Sequence, residues 1–103
     1  MPSTIRVRAV AKDDTVEVQS LIQHPMDSGF IKDAKGEFIP AHHIQIVTFE
    51  HAGKTVFTAY WGTAVSKDPY LKFSFKGGKK GDSLKISWVD NFGEKDSLEA
   101  SIL

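Results

Sequence analysis

Two stretches, Tyr70-Leu71-Lys72-Phe73-Ser74-Phe75-Lys76 and Ser83-Leu84-Lys85-Ile86-Ser87-Trp88-Val89-Asp90, carry the fold assignment. In the first, Leu71, Phe73 and Phe75 alternate with Lys72, Ser74 and Lys76; in the second, Leu84, Ile86 and Trp88 point the other way from lysine and serine. A period of two marks a strand with one dry face and one wet face. The connection Gly77-Gly78-Lys79-Lys80-Gly81-Asp82 reads as a flexible tip solvated by lysines. It is no phosphate loop, because the G-x-x-x-x-G-K-[ST] spacing is missing and a strand follows instead of a helix.

On either side the same period continues. Ile5, Val7 and Ala9 alternate with Arg6, Arg8 and Val10, and Lys12-Asp13-Asp14 supplies a polar turn. A second strand over residues 15–22 sets Val16, Val18 and Ile22 opposite Glu17 and Gln19. A third covers 43–51, turns at Ala52-Gly53 and returns over 54–61; a last one, after Asn91-Phe92-Gly93, carries Leu98, Ala100 and Ile102. No window shows a helical period. Short strands with turn signals every ~8–12 residues and an inward tryptophan predict an all-β fold, an immunoglobulin-like antiparallel β-sandwich of about seven strands. A chain of 103 residues suits one such core, a single domain over 1–103.

The third and fourth strands break the alternation. Ile44 and Ile46 lie on one face by parity, Val47 and Phe49 on the other, and Val56, Phe57, Tyr60 and Trp61 also load both faces. A strand that is apolar on both faces needs cover on both. Val47, Phe49, Phe57 and Trp61 are therefore expected to form a second face that a partner subunit buries.

Composition removes several classes of function. Thirteen basic residues balance thirteen acidic ones, so no net field draws nucleic acid or an anionic membrane. No apolar run approaches the ~20 residues of a membrane span. There is no cysteine, which rules out thiolate nucleophiles, disulfides and cysteine-ligated zinc or iron–sulfur centres in this chain. Met1-Pro2-Ser3-Thr4-Ile5-Arg6-Val7 enters a strand pattern without an apolar leader core, so the expectation is that the chain carries no export signal of its own.

Catalytic chemistry is equally sparse. Asp13 and Asp14 sit in a turn, and neither Ser66 nor Ser87 has a His–Asp relay in view. Of the four histidines, His42 and His43 are adjacent and point to opposite strand faces, so they cannot chelate one ion together. His43 and His51 share a face but lie at opposite ends of their strand. A metal site would need a histidine from another strand or an acid such as Asp27. The expectation is no catalytic residue, no metal and no cofactor. The competing reading is a stand-alone binding or electron-transfer metalloprotein of the immunoglobulin-like type that uses surface histidines. Superoxide reductases also use such a sandwich, but with a His-and-Cys iron site, and this chain lacks the thiolate.

Between 25 and 42 runs the one long irregular segment, with Phe30, Ile31, Phe38 and Ile39 among glycines and prolines. It opens on His24-Pro25-Met26-Asp27-Ser28-Gly29. Pro25 lacks an N–H and ends the ladder, Asp27 and Ser28 can bond nearby backbone, and Gly29 can take positive φ. Nothing in turn chemistry asks for His24 and Met26. This hexapeptide resembles the signature of the SoxZ family. Lys32-Asp33-Ala34-Lys35-Gly36-Glu37-Phe38-Ile39-Pro40, Ala64-Val65-Ser66-Lys67-Asp68-Pro69-Tyr70 and Ile86-Ser87-Trp88-Val89-Asp90 agree in order and spacing.

The resemblance implies a non-catalytic subunit of a heterodimeric sulfur carrier. Its partner, SoxY, would bear the substrate on a cysteine and present it, with transient contacts, to the other Sox enzymes of thiosulfate oxidation. It also implies a periplasmic location reached by co-export with the signal-bearing partner. His24, Pro25, Met26 and Asp27 are then expected at the partner surface, with Val47, Phe49, Phe57 and Trp61 as further partner contacts; the alternative is a structural corner, locked by Asp27 side-chain bonds with Met26 filling the core.

Overall fold

A computed structural model describes residues 3–103; Met1 and Pro2, where the N-terminal reading begins, lie outside them. The described residues form seven strands: β1 (Ile5–Lys12), β2 (Thr15–Ile22), β3 (Ile44–His51), β4 (Lys54–Tyr60), β5 (Tyr70–Lys76), β6 (Ser83–Asp90) and β7 (Lys95–Ser101). They make two antiparallel sheets, β1-β2-β5 and β4-β3-β6-β7, stacked as the predicted sandwich. No helix of the structure is long and apolar enough to cross a membrane.

The core follows the alternation. Val16, Val18, Ile22 and Phe75 from one sheet meet Ile44, Val47, Phe49, Leu84, Ile86 and Trp88 from the other. Burying each such side chain stabilises the fold by roughly 1.5–3 kcal/mol. One flank of the sandwich is closed. Leu103 N–H donates to the Ala9 carbonyl, Ala11 N–H donates to Leu103, and the Ser3 and Thr4 hydroxyls bond Asp96. Trp88 is tied to that flank through its Nε1–H, which donates to Thr4 Oγ1 at 3.1 Å. The other flank, between the edges of β4 and β5, is lined by half-buried aromatics, with Phe57 stacked on Phe73 at 4.4 Å.

Two expectations need correcting. Val47 and Phe49 do not form a second outer face; both are completely buried in this domain's own core. The cause is a register irregularity between Ile44 and Ile46, where β3 meets β6. An extra residue in a strand shifts the parity of everything beyond it. Ile44, Val47 and Phe49 thus all point inward, and Ile46 alone turns out. The connection 77–82 is also no free tip. Gly78 is buried, and a Cβ there would lie 2.5 Å from Val16 Cγ2, so this position packs directly on the core.

Residues 28–41 form a projecting arm. Its base is the bridge between Asp27 and His42, and its outer part is pinned by the bridge between Lys32 and Phe38. Asp33 Oδ1 accepts from the N–H groups of Lys35 and Glu37, which fixes the bend at the tip. The arm leaves Phe30 81% and Phe38 60% exposed.

Candidate functional site

The chemistry-bearing residues of the sandwich gather where β2 ends, β3 begins and β6 ends. Inward parity on β6 takes Leu84, Ile86, Trp88 and then Asp90, so an acid occupies a core position. A buried carboxylate survives only with partners. His24 Nε2 lies 3.0 Å and His42 Nε2 2.7 Å from Asp90 Oδ2, so both rings donate to one oxygen. The other oxygen, Oδ1, accepts from the N–H groups of Phe92 and Glu94 at 3.0 and 2.9 Å. That capping explains the turn Asn91-Phe92-Gly93: the chain bends around the Asp90 carboxylate. Burial by itself would raise the Asp90 carboxyl. The hydrogen bonds from His24, His42, Glu94 and Phe92 outweigh it and hold the group below its ordinary range.

The cluster fixes the corner 24–29. His24 is 4% and Met26 5% exposed, so neither faces a partner as expected; both belong to the interior. Met26 N–H donates to His24 Nδ1 at 3.1 Å, which places the ring proton on Nε2, toward Asp90. Met26 sits at φ 50°, a strained conformation for a side-chain-bearing residue, and its sulfur accepts the Ile44 N–H at 3.3 Å. Asp68 completes the frame: its Oδ1 accepts from His24 N–H, and its own N–H donates to the His24 carbonyl, each at 3.0 Å. Asp27 is half-buried and exchanges backbone hydrogen bonds with His42, while Pro25 alone of the four is exposed. The ring of His24 meets Trp88 edge-on at 5.2 Å, and His42 stacks on Phe92 at 4.0 Å.

His24, His42 and Asp90 offer ligand atoms within 4.8 Å of one another, a set that could hold a metal ion. Sequence reasoning named His24 and His42 but not Asp90, and looked to Asp27 for the acid. The tautomer weighs against a metal here. For His24 Nε2 to bind an ion it must lose its proton, and Nδ1 must then gain one where the Met26 N–H already donates. The set fits a closed hydrogen-bonded cluster better than a chelate. The remaining histidines stand apart: His43 bonds Asn91 through its backbone, and His51 pairs with Asp82 at the far end of the molecule, 2.8 Å away. Of the other expected partner residues, Phe57 and Trp61 are half-buried and pack against the core.

No curated protein matches the chain by sequence. Among solved structures, a superoxide reductase (neelaredoxin) from Archaeoglobus fulgidus in the reduced form shares the fold, with a TM-score of 0.65 and 20% identity over 97% of this chain and 89% of that one. A superoxide reductase in the oxidized state gives a TM-score of 0.63 at 15% identity, covering 98% of this chain and 88% of its own. At these identities the likeness is one of fold. Three of the four stretches that carry the sequence resemblance, around His24, Asp68 and Asp90, meet in one bonded frame. The family model "Sulphur oxidation protein SoxZ" matches residues 5–101, nearly the whole length, and the chain belongs to the SoxZ family, a component of the Sox sulfur-oxidation system.

Proposed function

We propose that this chain is the non-catalytic half of a sulfur carrier. It pairs with SoxY, whose cysteine bears the sulfur intermediate, and completes the body that the other Sox enzymes recognise. The observation that carries this reading is the absence of any cysteine in a member of a sulfur-oxidation family. Covalent sulfur chemistry must then sit on another chain. The acid–base groups agree with it: Asp90 Oδ2 takes both ring donors, Asp90 Oδ1 takes two backbone N–H groups, and both nitrogens of the His24 ring are hydrogen-bonded within the fold.

The exposed surface supports a partner. Phe30, Ile31, Phe38, Ile46, Tyr60, Tyr70, Val89 and Phe92 are all well exposed, and the strand registers place them toward the end that holds the arm. An apolar concentration of this kind marks an interaction surface. Work takes place in the periplasm, reached by export with the signal-bearing partner. Co-expression with SoxY tests the reading: a stable 1:1 complex that restores thiosulfate oxidation with the other Sox enzymes is the expected result. A chain that stays alone in the presence of SoxY, or turns over thiosulfate without it, overturns it.

A metalloprotein is the second reading, and the His24–His42–Asp90 set is its one support. Titration of the purified chain with Zn2+ separates the two. Binding at one equivalent, lost in His42→Ala, would favour the metal.

A further inference from the structure

The two sheets have four edge strands among the described residues, β1 and β5 in one, β4 and β7 in the other. An open edge invites pairing with another chain, and proteins commonly guard edges with charge. Three of the four are guarded: β1 carries Arg6, Arg8 and Lys12, β5 carries Lys72 and Lys76, and β7 carries Lys95, Asp96 and Glu99. The β1 edge is further covered by Leu103, which bonds Ala9 and Ala11. β4 differs. After Lys54 at its turn, no charged residue occurs from Thr55 to Ser66.

The geometry of β4 is that of a template. Trp61 N–H donates to the Gln45 carbonyl, and Ala59 pairs with Val47, so these inner positions face β3. In an antiparallel ladder the intervening residues turn their backbone groups the other way. Thr58 and Tyr60 therefore direct N–H and C=O outward, away from the sheet. Beside them the open flank exposes part of Phe57, Phe73, Leu71 and Trp61, hydrophobic side chains that β4 and β5 leave half-covered. Only an extended backbone matches such a row of alternating donors and acceptors. The half-covered aromatics select apolar side chains at the alternate positions of such a strand, and the row sets no charge against them.

We infer that β4 is a strand-addition site: an alternately apolar strand of the partner subunit joins the four-stranded sheet at Thr58 and Tyr60 and covers Phe57 and Trp61. This rests on the heterodimeric carrier reading and assigns its docking edge.

Amide hydrogen exchange by NMR on the labelled chain, alone and co-expressed with SoxY, tests the assignment. The Thr58 and Tyr60 amides should exchange quickly in the free chain and at least about 100-fold more slowly in the complex. Thr58→Pro, which deletes one outward donor, should weaken SoxY binding by about tenfold or more. Tyr60→Lys, which guards the edge without touching the β3 ladder, should do the same while leaving the fold intact. Ser97→Lys on the already charged β7 should change nothing. An intact complex with its new protection on β5, β7 or the arm, and unaffected by Tyr60→Lys, overturns the edge assignment but spares the carrier. Protection that grows with concentration in the chain alone would assign β4 to a second copy instead and overturn it. Failure to bind SoxY at all overturns both the edge and the carrier.

Discussion

The molecule holds two histidine–aspartate arrangements, one at each end of the sandwich, and they are built for different ends. At the arm end Asp90 is fully buried and takes hydrogen bonds from His24, His42 and the β6–β7 turn. At the other end His51 and Asp82 make one pair at 2.8 Å, with Asp82 partly open to water and also accepting the Lys79 N–H. Both carboxyls lie below the ordinary range: Asp82 chiefly through its bond from His51, Asp90 because its donors outweigh the cost of burial. The same residue types thus give a surface ornament in one place and a structural hub in the other. Burial makes the difference, since an unpaired group costs little in water and much in a core.

The largest effect should follow from removing the hub. Asp90→Ala leaves two ring N–H groups and two backbone N–H groups without their acceptor. The loss is expected to be about 3–5 kcal/mol in denaturant unfolding, enough to unfold much of a domain this size. His24→Ala should cost about 2–3 kcal/mol, because Met26 N–H and Asp90 each lose a buried partner. Its cost tells a structural His24 from a partner-facing one: if Tm is unchanged and SoxY affinity falls, the corner serves recognition after all.

Acid unfolding makes the same contrast graded. A carboxyl held below its unfolded value of 3.8 adds stability that is fully present above that value and disappears as pH falls through the folded one. Stability should therefore decline below about pH 4. Asp90→Asn, compared with wild type across that range by thermal melts, should show a flatter acid limb from a lower starting point. Asp82→Asn should give the smallest change, with a Tm near wild type at neutral pH and most of the acid limb retained. A loss equal to that of Asp90→Asn would erase the distinction between the two ends.

Much of the sandwich was legible because period-two alternation survives in β1, β2, β5 and β6. What was hidden came from places where one residue changes the parity. The irregularity between Ile44 and Ile46 turns Val47 and Phe49 inward, and no local signal in Ile44-Gln45-Ile46-Val47 announces it. The buried cluster left one visible trace: Asp90 shares the inward parity of Leu84, Ile86 and Trp88, and an acid there demands donors. Which donors could not be read, since His24 and His42 lie far away in sequence and meet Asp90 only when the sheets stack. From sequence alone the odd specificity of His24 and Met26 fits a partner surface or a structural corner equally, and their burial favours the structural corner. His24 must accept at one nitrogen and donate at the other, and Met26 must supply a slender, apolar acceptor beneath Ile44.

The central claim is that the His24 corner is a hydrogen-bonded latch within the fold. Long-range 1H–15N correlation spectra of the two His24 ring nitrogens, with and without one equivalent of Zn2+, test it most directly. The expected result is a protonated Nε2 and an unprotonated, acceptor Nδ1 at neutral pH, unchanged by the metal. A proton on Nδ1, or a His24 Nε2 resonance that shifts on binding Zn2+, would contradict it and make the cluster a metal centre.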